Sequence, residues 1–191
     1  VKKVEMVLSG DLNKNIVSSI NSQGGNGVGI SGKDASLVIC EKDHPKLGFV
    51  GKPILINTKL ITTLVENDFI PVISPIGTNE KGETFNINAD TMAGSIASAL
   101  KADRLLLLTD VEGVKDKNGE KIEKAPLKEI KKLINQNIIK DGMIPKVNTA
   151  IDAIEKGVRA VVILDGSIQN ACLLELFTDH GVGTLIREEI D

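Results

Sequence analysis

The chain has 191 residues, 41% of them apolar and 26% charged, with a formal net charge of −3. That length can bury a core for one domain or one and a half, and the charge balance excludes a global basic field for nucleic acid or an anionic membrane. No apolar run approaches the ~20 residues that span a bilayer, and Val1-Lys2-Lys3-Val4-Glu5 lacks a secretory apolar region, so a soluble cytoplasmic protein is expected. With four Phe and neither Tyr nor Trp, the chain has no stacking platform for single-stranded nucleic acid. Cys40 and Cys172 stand isolated among apolar neighbours and read as buried thiols. Together with His44 and His180 they show no metal-ligand spacing, so no metal site is expected.

Strand-like and helix-like segments alternate along the chain. The expected strands are Val4–Leu8, Gly27–Ile30, Leu37–Cys40, Pro71–Ile76, Arg104–Thr109, Ala160–Leu164 and Thr184–Arg187. Helical faces are formed by Leu12, Ile16, Val17 and Ile20, and by Leu60, Ile61, Leu64 and Val65. Met92, Ala93, Ile96, Ala97 and Leu100 form another, then Ile144, Val147, Ile151 and Ile154, and last Cys172, Leu173, Leu176 and Phe177. Continuous apolar runs such as Leu105–Leu108 and Ala160–Leu164 suit strands covered on both faces, as in parallel sheets. The pattern predicts an α/β fold with an open, mostly parallel sheet sandwiched between helices. Asn118-Gly119, inside the polar stretch Lys115–Lys124, signals a solvated hairpin.

In such sheets ligands lie beyond the carboxyl ends of the strands, and three polar clusters fall there. Asn86-Ile87-Asn88-Ala89-Asp90 brings two carboxamides and a carboxylate to the start of a helix, where capping needs one such residue. Thr109-Asp110-Val111-Glu112-Gly113 closes the strand from Arg104. Lys140-Asp141-Gly142-Met143-Ile144-Pro145-Lys146 opens the helix from Ile144. Pro145 suits a first helical turn. Lys146 opposes the helix dipole there, an arrangement that makes sense with an anion such as phosphate between them. Gly27-Val28-Gly29-Ile30-Ser31-Gly32-Lys33-Asp34 matches the spacing of phosphate-binding glycine loops. Those loops must lead into a helix, whereas a strand-like run follows here and Asp34 would repel phosphate, so the match is rejected.

Taken together, Asn86–Asp90, Leu107–Val114 and Asp141–Lys146 resemble the amino acid kinase family, in its branch acting on N-acetyl-L-glutamate. Supporting stretches are Val28–Asp34, Leu47–Gly51 and Leu174–Thr184, so the resemblance covers essentially the whole chain. It implies transfer of the γ-phosphoryl of ATP, carried with Mg²⁺, to the side-chain carboxylate of N-acetyl-L-glutamate in arginine biosynthesis. It implies that Asn86 binds the acceptor, that Asp90 orients the catalytic lysines and that Lys146 stabilises charge on the leaving side. It further implies nucleotide contacts from Thr109, Asp110, Val111, Gly113, Val114, Ile139, Lys140, Gly142 and Met143.

The family's opening strand, with its Lys-x-Gly-Gly motif, and the glycine-rich acceptor loop have no counterpart here. Residues 1–76 are accordingly expected to be the remainder of an acceptor-binding and dimerisation lobe, and 77–191 a nucleotide-binding lobe. The expectation is an incomplete acceptor site, weak or no activity of this chain alone, and a homo-oligomer in the full-length protein. Glu175 and Gly181 match the region where arginine-sensitive relatives bind their inhibitor, but the N-terminal helix such relatives need is lacking, and nothing in the residues speaks for the PII signalling partner of some relatives. The open alternatives are a sister kinase acting on carbamate, glutamate, aspartate or UMP, and a non-catalytic fragment that binds nucleotide or an effector.

Overall fold

Helical backbone runs from Lys2 to Ser22, where the sequence suggests a strand over Val4–Leu8. In the computed structural model, which describes residues 1–140, 142–178 and 181–189, Lys2–Glu5 (α1), a π-helical stretch Met6–Leu12 and Asn13–Ser22 (α2) follow one another with right-handed angles at each junction. A five-residue apolar run does not by itself separate strand from helix. The spacing that decides here belongs to polar residues four apart. Ser9 Oγ lies 2.6 Å from Ser74 Oγ, and Asn13 Nδ2 donates to Val72 O at 2.8 Å and Ile30 O at 3.3 Å. Glu5 pairs with Lys33 Nζ at 2.8 Å. The helix therefore turns polar side chains inward and leaves Met6, Val7, Leu12 and Ile16 exposed. Asp141, Asp179 and His180 lie outside the described residues.

Two compact units divide the chain, Val1–Ile96 and Ala97–Asp191. In the first, β1 (Gly27–Ser31) pairs in parallel with β4 (Ile70–Ser74), ending in register at Ser31 and Ser74. Between them come β2 (Val38–Lys42), β3 (Gly51–Ile56) and α3 (Lys59–Glu66). The unit continues with β5 (Ile76–Thr78) and β6 (Thr84–Asn86), and a second sheet has the order β3-β2-β5-β6; α4 (Ala89–Leu100) begins in this unit and crosses its boundary after Ile96. The expected strand Pro71–Ile76 is thus split before Ile76, where Pro75 has no N–H to give a ladder. The glycine-rich stretch leads into one 3-10 turn, Asp34–Ser36, and then strand β2. Asp34 Oδ2 accepts from Ser31 N at 2.7 Å and from Ser31 Oγ at 2.8 Å, taking up an amide that a phosphate cradle would need.

Cys40, 1% exposed, sits beneath glycines of neighbouring strands: a Cβ on Gly51 would lie 3.1 Å from Cys40 Cβ, and one on Gly77 would strike Cys40 Sγ. Burial pushes its thiol from 9.0 up to about 11, because the thiolate loses hydration there. The raised folded value means that the unfolded chain gives up the proton first. Stability from this group is full below pH 9 and falls as pH rises through about 11. Denaturant melts across that window are expected to show a downward slope that Cys40→Ala reduces. Cys172, also expected to be buried, is instead partly exposed on a short terminal helix.

In the second unit, β7 (Leu105–Thr109), β8 (Lys124–Pro126), β9 (Val161–Asp165) and β10 (Thr184–Arg187) form one sheet in the order β7-β9-β10-β8. Helices α5 (Leu127–Asn135), α6 (Met143–Glu155) and α7 (Ala171–Phe177) accompany it. Val161, Val162, Ile163 and Leu164 are all fully buried, as a strand covered on both faces requires. β7 lies at the edge of this sheet, and Leu108 there is 50% exposed, so its expected two-sided burial holds only in part. The hairpin is present: Lys115 bridges Lys121, and Gly119 takes φ +83° at the turn. Pairings β1–β4, β7–β9, β8–β10 and β2–β5 are parallel, so the fold is α/β with mostly parallel sheets flanked by helices. No helix among the described residues is long and apolar enough to cross a membrane.

Candidate functional site

Asn86 ends β6 opposite Ile76, and its main-chain N–H donates to Phe49 O at 2.9 Å. The Leu47–Gly51 stretch is thereby brought against Asn86, and the Phe49 and Phe85 rings meet at 6.3 Å between centroids. Ile87, 2% exposed, anchors the connection in the core. Asn88 then caps α4: its Oδ1 accepts from Thr91 N at 3.1 Å and from Thr91 Oγ1 at 3.4 Å. A cap of this kind is worth about 1 kcal/mol, and it accounts for Asn88 in full. Asp90 follows in the first turn of α4 and is partly buried. A carboxylate there complements the dipole.

In the second unit, Thr109 ends β7 in register with Asp165 of β9, and Thr109 Oγ1 donates to Asp110 Oδ1 at 3.2 Å. Asp110 and Val111 are exposed, while Gly113 and Val114 are buried. Gly113 takes φ +144°, and a Cβ on it would meet the Thr184 hydroxyl and main chain, so the chain can pass this close to β10 only at a glycine. Ile139 is buried just after α5, its N–H donating to Leu133 O at 3.4 Å, and Met143 N donates to Lys140 O at 3.2 Å. Helix α6 then begins at Met143 behind Gly142, with no acidic residue in its first turn. Gly142 has no side chain to fold over the first-turn amides, and Lys146 lies partly buried in that turn. Amides, dipole and ammonium group there all favour an anion.

The model of the amino acid kinase family matches residues 1–165. The chain belongs to that family. The acetylglutamate kinase of Ruegeria pomeroyi is 58% identical over 189 residues, covering 99% of this chain and 66% of the relative. That of Dinoroseobacter shibae is 56% identical over 187 residues, 98% of this chain and 65% of the relative. The chain spans just under two thirds of the length of these curated relatives. Among solved structures, the smu.665 protein of Streptococcus mutans UA159 matches with a TM-score of 0.80 at 30% identity, over 97% of this chain and 70% of that chain.

In this amino acid kinase family member, Asp165 and Thr184 gain a place that spacing alone did not reveal, and Glu175, matched above to the inhibitor region of relatives, gains defined partners. Asp165 ends β9 beside Thr109, and Gly166 N donates to Thr109 O at 2.8 Å. Hydrogen bonds from the Ser167 side chain and main-chain N–H hold the Asp165 carboxyl below its usual value, which keeps a negative charge at this strand end. Its position as the last residue of an apolar strand was the available signal. Glu175, buried on α7, accepts from Val182 N at 2.9 Å and Gly183 N at 3.2 Å. Thr184 is fully buried, and its hydroxyl donates to Ile122 O at 2.6 Å and accepts from Val114 N at 2.9 Å. Nothing in the one-dimensional pattern distinguishes that threonine from an ordinary strand residue.

Proposed function

We propose that the protein is a phosphotransferase that moves the γ-phosphoryl of MgATP to the side-chain carboxylate of N-acetyl-L-glutamate, giving an acyl phosphate and ADP. The observation that carries this reading is the first turn of α6, where Lys146 stands behind a glycine cap with no acidic residue in the turn. Phosphoryl transfer asks a protein chiefly for positioning and charge neutralisation, and this turn offers both. The identity to acetylglutamate kinases supports the choice of acceptor.

In this reading Asn86 binds the acceptor and Asp90 orients donors around it. Asp90 has no base to play, because a carboxylate nucleophile has no proton to lose. Thr109, Asp110, Val111, Gly113 and Val114, with Ile139, Lys140, Gly142 and Met143, hold the nucleotide. Lys146 neutralises charge as the β–γ bridge breaks. MgATP enters as substrate, with Mg²⁺ carried mainly by phosphate oxygens. Residues 1–76 act as an acceptor-side lobe and 77–191 as a nucleotide lobe, within a cytoplasmic homo-oligomer serving arginine synthesis.

Acyl phosphates react with hydroxylamine to give coloured hydroxamates, which provides the assay. The chain is tested alone and joined to the part of the Ruegeria pomeroyi relative that has no counterpart here. ATP-dependent hydroxamate from N-acetyl-L-glutamate, exceeding that from glutamate or aspartate, is expected from the joined protein. A joined protein that folds but prefers another acceptor would overturn the assignment.

A further inference from the structure

The geometry points to Thr184 as the positioning residue of the nucleotide loop Asp110–Val114: a buried hydroxyl that sets where that main chain stands while touching no ligand itself. The inference rests on the nucleotide reading of this loop given above.

Val114 is fully buried, and its main chain has two fixed partners. Its carbonyl accepts from Ile122 N at 2.9 Å, and its N–H donates to Thr184 Oγ1 at 2.9 Å. The same hydroxyl donates to Ile122 O at 2.6 Å. One oxygen thus joins both strands leading into the hairpin, acting as donor to one and acceptor to the other, which a hydroxyl alone among small side chains can do. Next to it, Gly113 passes so near that an added Cβ would come within 3.2 Å of Thr184 N. The loop therefore rests on Thr184 through a hydrogen bond at one residue and van der Waals contact at the preceding one.

Thr184 is itself firmly held. It pairs with Ile163 in the β9–β10 ladder. Glu175 ties down the amides of the two residues before it, and Lys121 Nζ donates to Val182 O at 2.9 Å. A position fixed from β9, α7 and the hairpin is thus passed to the loop through one hydroxyl. Removing that hydroxyl leaves the buried Val114 N and the partly buried Ile122 O without this partner, and the loop is then free to settle elsewhere.

The test compares MgADP binding by titration calorimetry, together with thermal unfolding, for the unsubstituted chain, Thr184→Val and Thr184→Ser. Valine keeps the shape and loses the hydroxyl; serine keeps the hydroxyl and loses a methyl. The expected result is about tenfold weaker MgADP binding in Thr184→Val, on the scale of one lost hydrogen bond, with Thr184→Ser within threefold of the unsubstituted chain even where its melting point falls. Should the valine variant fail to fold, Gly113→Ala, which presses the loop away from Thr184, is expected to give the same loss. MgADP affinity unchanged in Thr184→Val, or in Gly113→Ala where that variant stands in, overturns the inference, as does an equal loss in the serine variant. No MgADP binding by the unsubstituted chain overturns the nucleotide reading instead, and the inference with it.

Discussion

In the joined protein, Lys146→Ala is expected to lower ATP-dependent hydroxamate formation by about 10²–10³-fold, the scale of losing one preorganised donor aimed at charge that develops in the transition state. The effect should fall on kcat more than on the KM for N-acetyl-L-glutamate. Charge grows on the bridging oxygen only as the γ-phosphoryl leaves, so the ammonium group matters most at the transition state. Lys146→Arg should recover little. A planar guanidinium cannot take the place of a compact ammonium group in a helix turn entered at Gly142 and Pro145. An alanine variant with unchanged kcat would remove Lys146 from the catalytic set and leave its place against the helix dipole unexplained.

Ile163→Ala should cost about 2–5 kcal/mol, the range for emptying a large buried aliphatic site, which corresponds to roughly 5–15 °C in melting temperature for a chain of this size. Ile163 is fully buried in β9, which pairs with β7 on one side and β10 on the other. It has Leu107 and Thr184 as register partners, so a cavity there touches the strands that carry both Thr109 and Thr184. Leu108→Ala on neighbouring β7 removes a leucine side chain that is 50% exposed, and its cost should stay below about 1.5 kcal/mol. Thermal melts of the two variants make the comparison. Equal losses would mean that the buried spine of this unit does not lie along β9.

The α/β class was legible because β9 and β7 announce themselves as apolar runs, and the helical stripes of α3 and α6 follow a clear period. The helix expected on Leu12, Ile16, Val17 and Ile20 is present as α2, but Val4–Leu8 misled, because the inward face of this helical stretch is polar. Ser9 and Asn13 face β1 and β4 while Leu12 and Ile16 remain exposed, so hydrophobic spacing pointed away from the packed side. β3 escaped notice because Pro53 and the exposed Ile54 and Leu55 do not alternate as strand residues usually do. α5 was hidden behind the charged hairpin, although Leu127, Ile130 and Leu133 form its buried stripe.

Legibility of the candidate residues divides along similar lines. Asn86 and Asp90 could be singled out because three polar residues crowd the segment between β6 and α4, and Lys146 because a cation in a first helical turn opposes the dipole. Asn88, picked out with them, has an ordinary capping geometry. Thr184 could not be found from sequence, since its meaning comes from Val114 and Ile122, some seventy and sixty residues away along the chain. Contacts at that separation are set by strand order, and strand order leaves no periodic trace.

The most direct test of the account is calorimetric unfolding of this chain with and without MgATP. Calorimetry suits a protein with neither Trp nor Tyr to report on unfolding by fluorescence. MgATP at one hundred times its Kd should stabilise the chain by about 2.7 kcal/mol, or roughly 5–10 °C, and the shift should shrink in Lys146→Ala. A melting point that stays unmoved at millimolar MgATP, in a protein that unfolds cooperatively, would contradict the assignment of Thr109, Asp110, Val111, Gly113, Val114, Ile139, Lys140, Gly142 and Met143 as a nucleotide site.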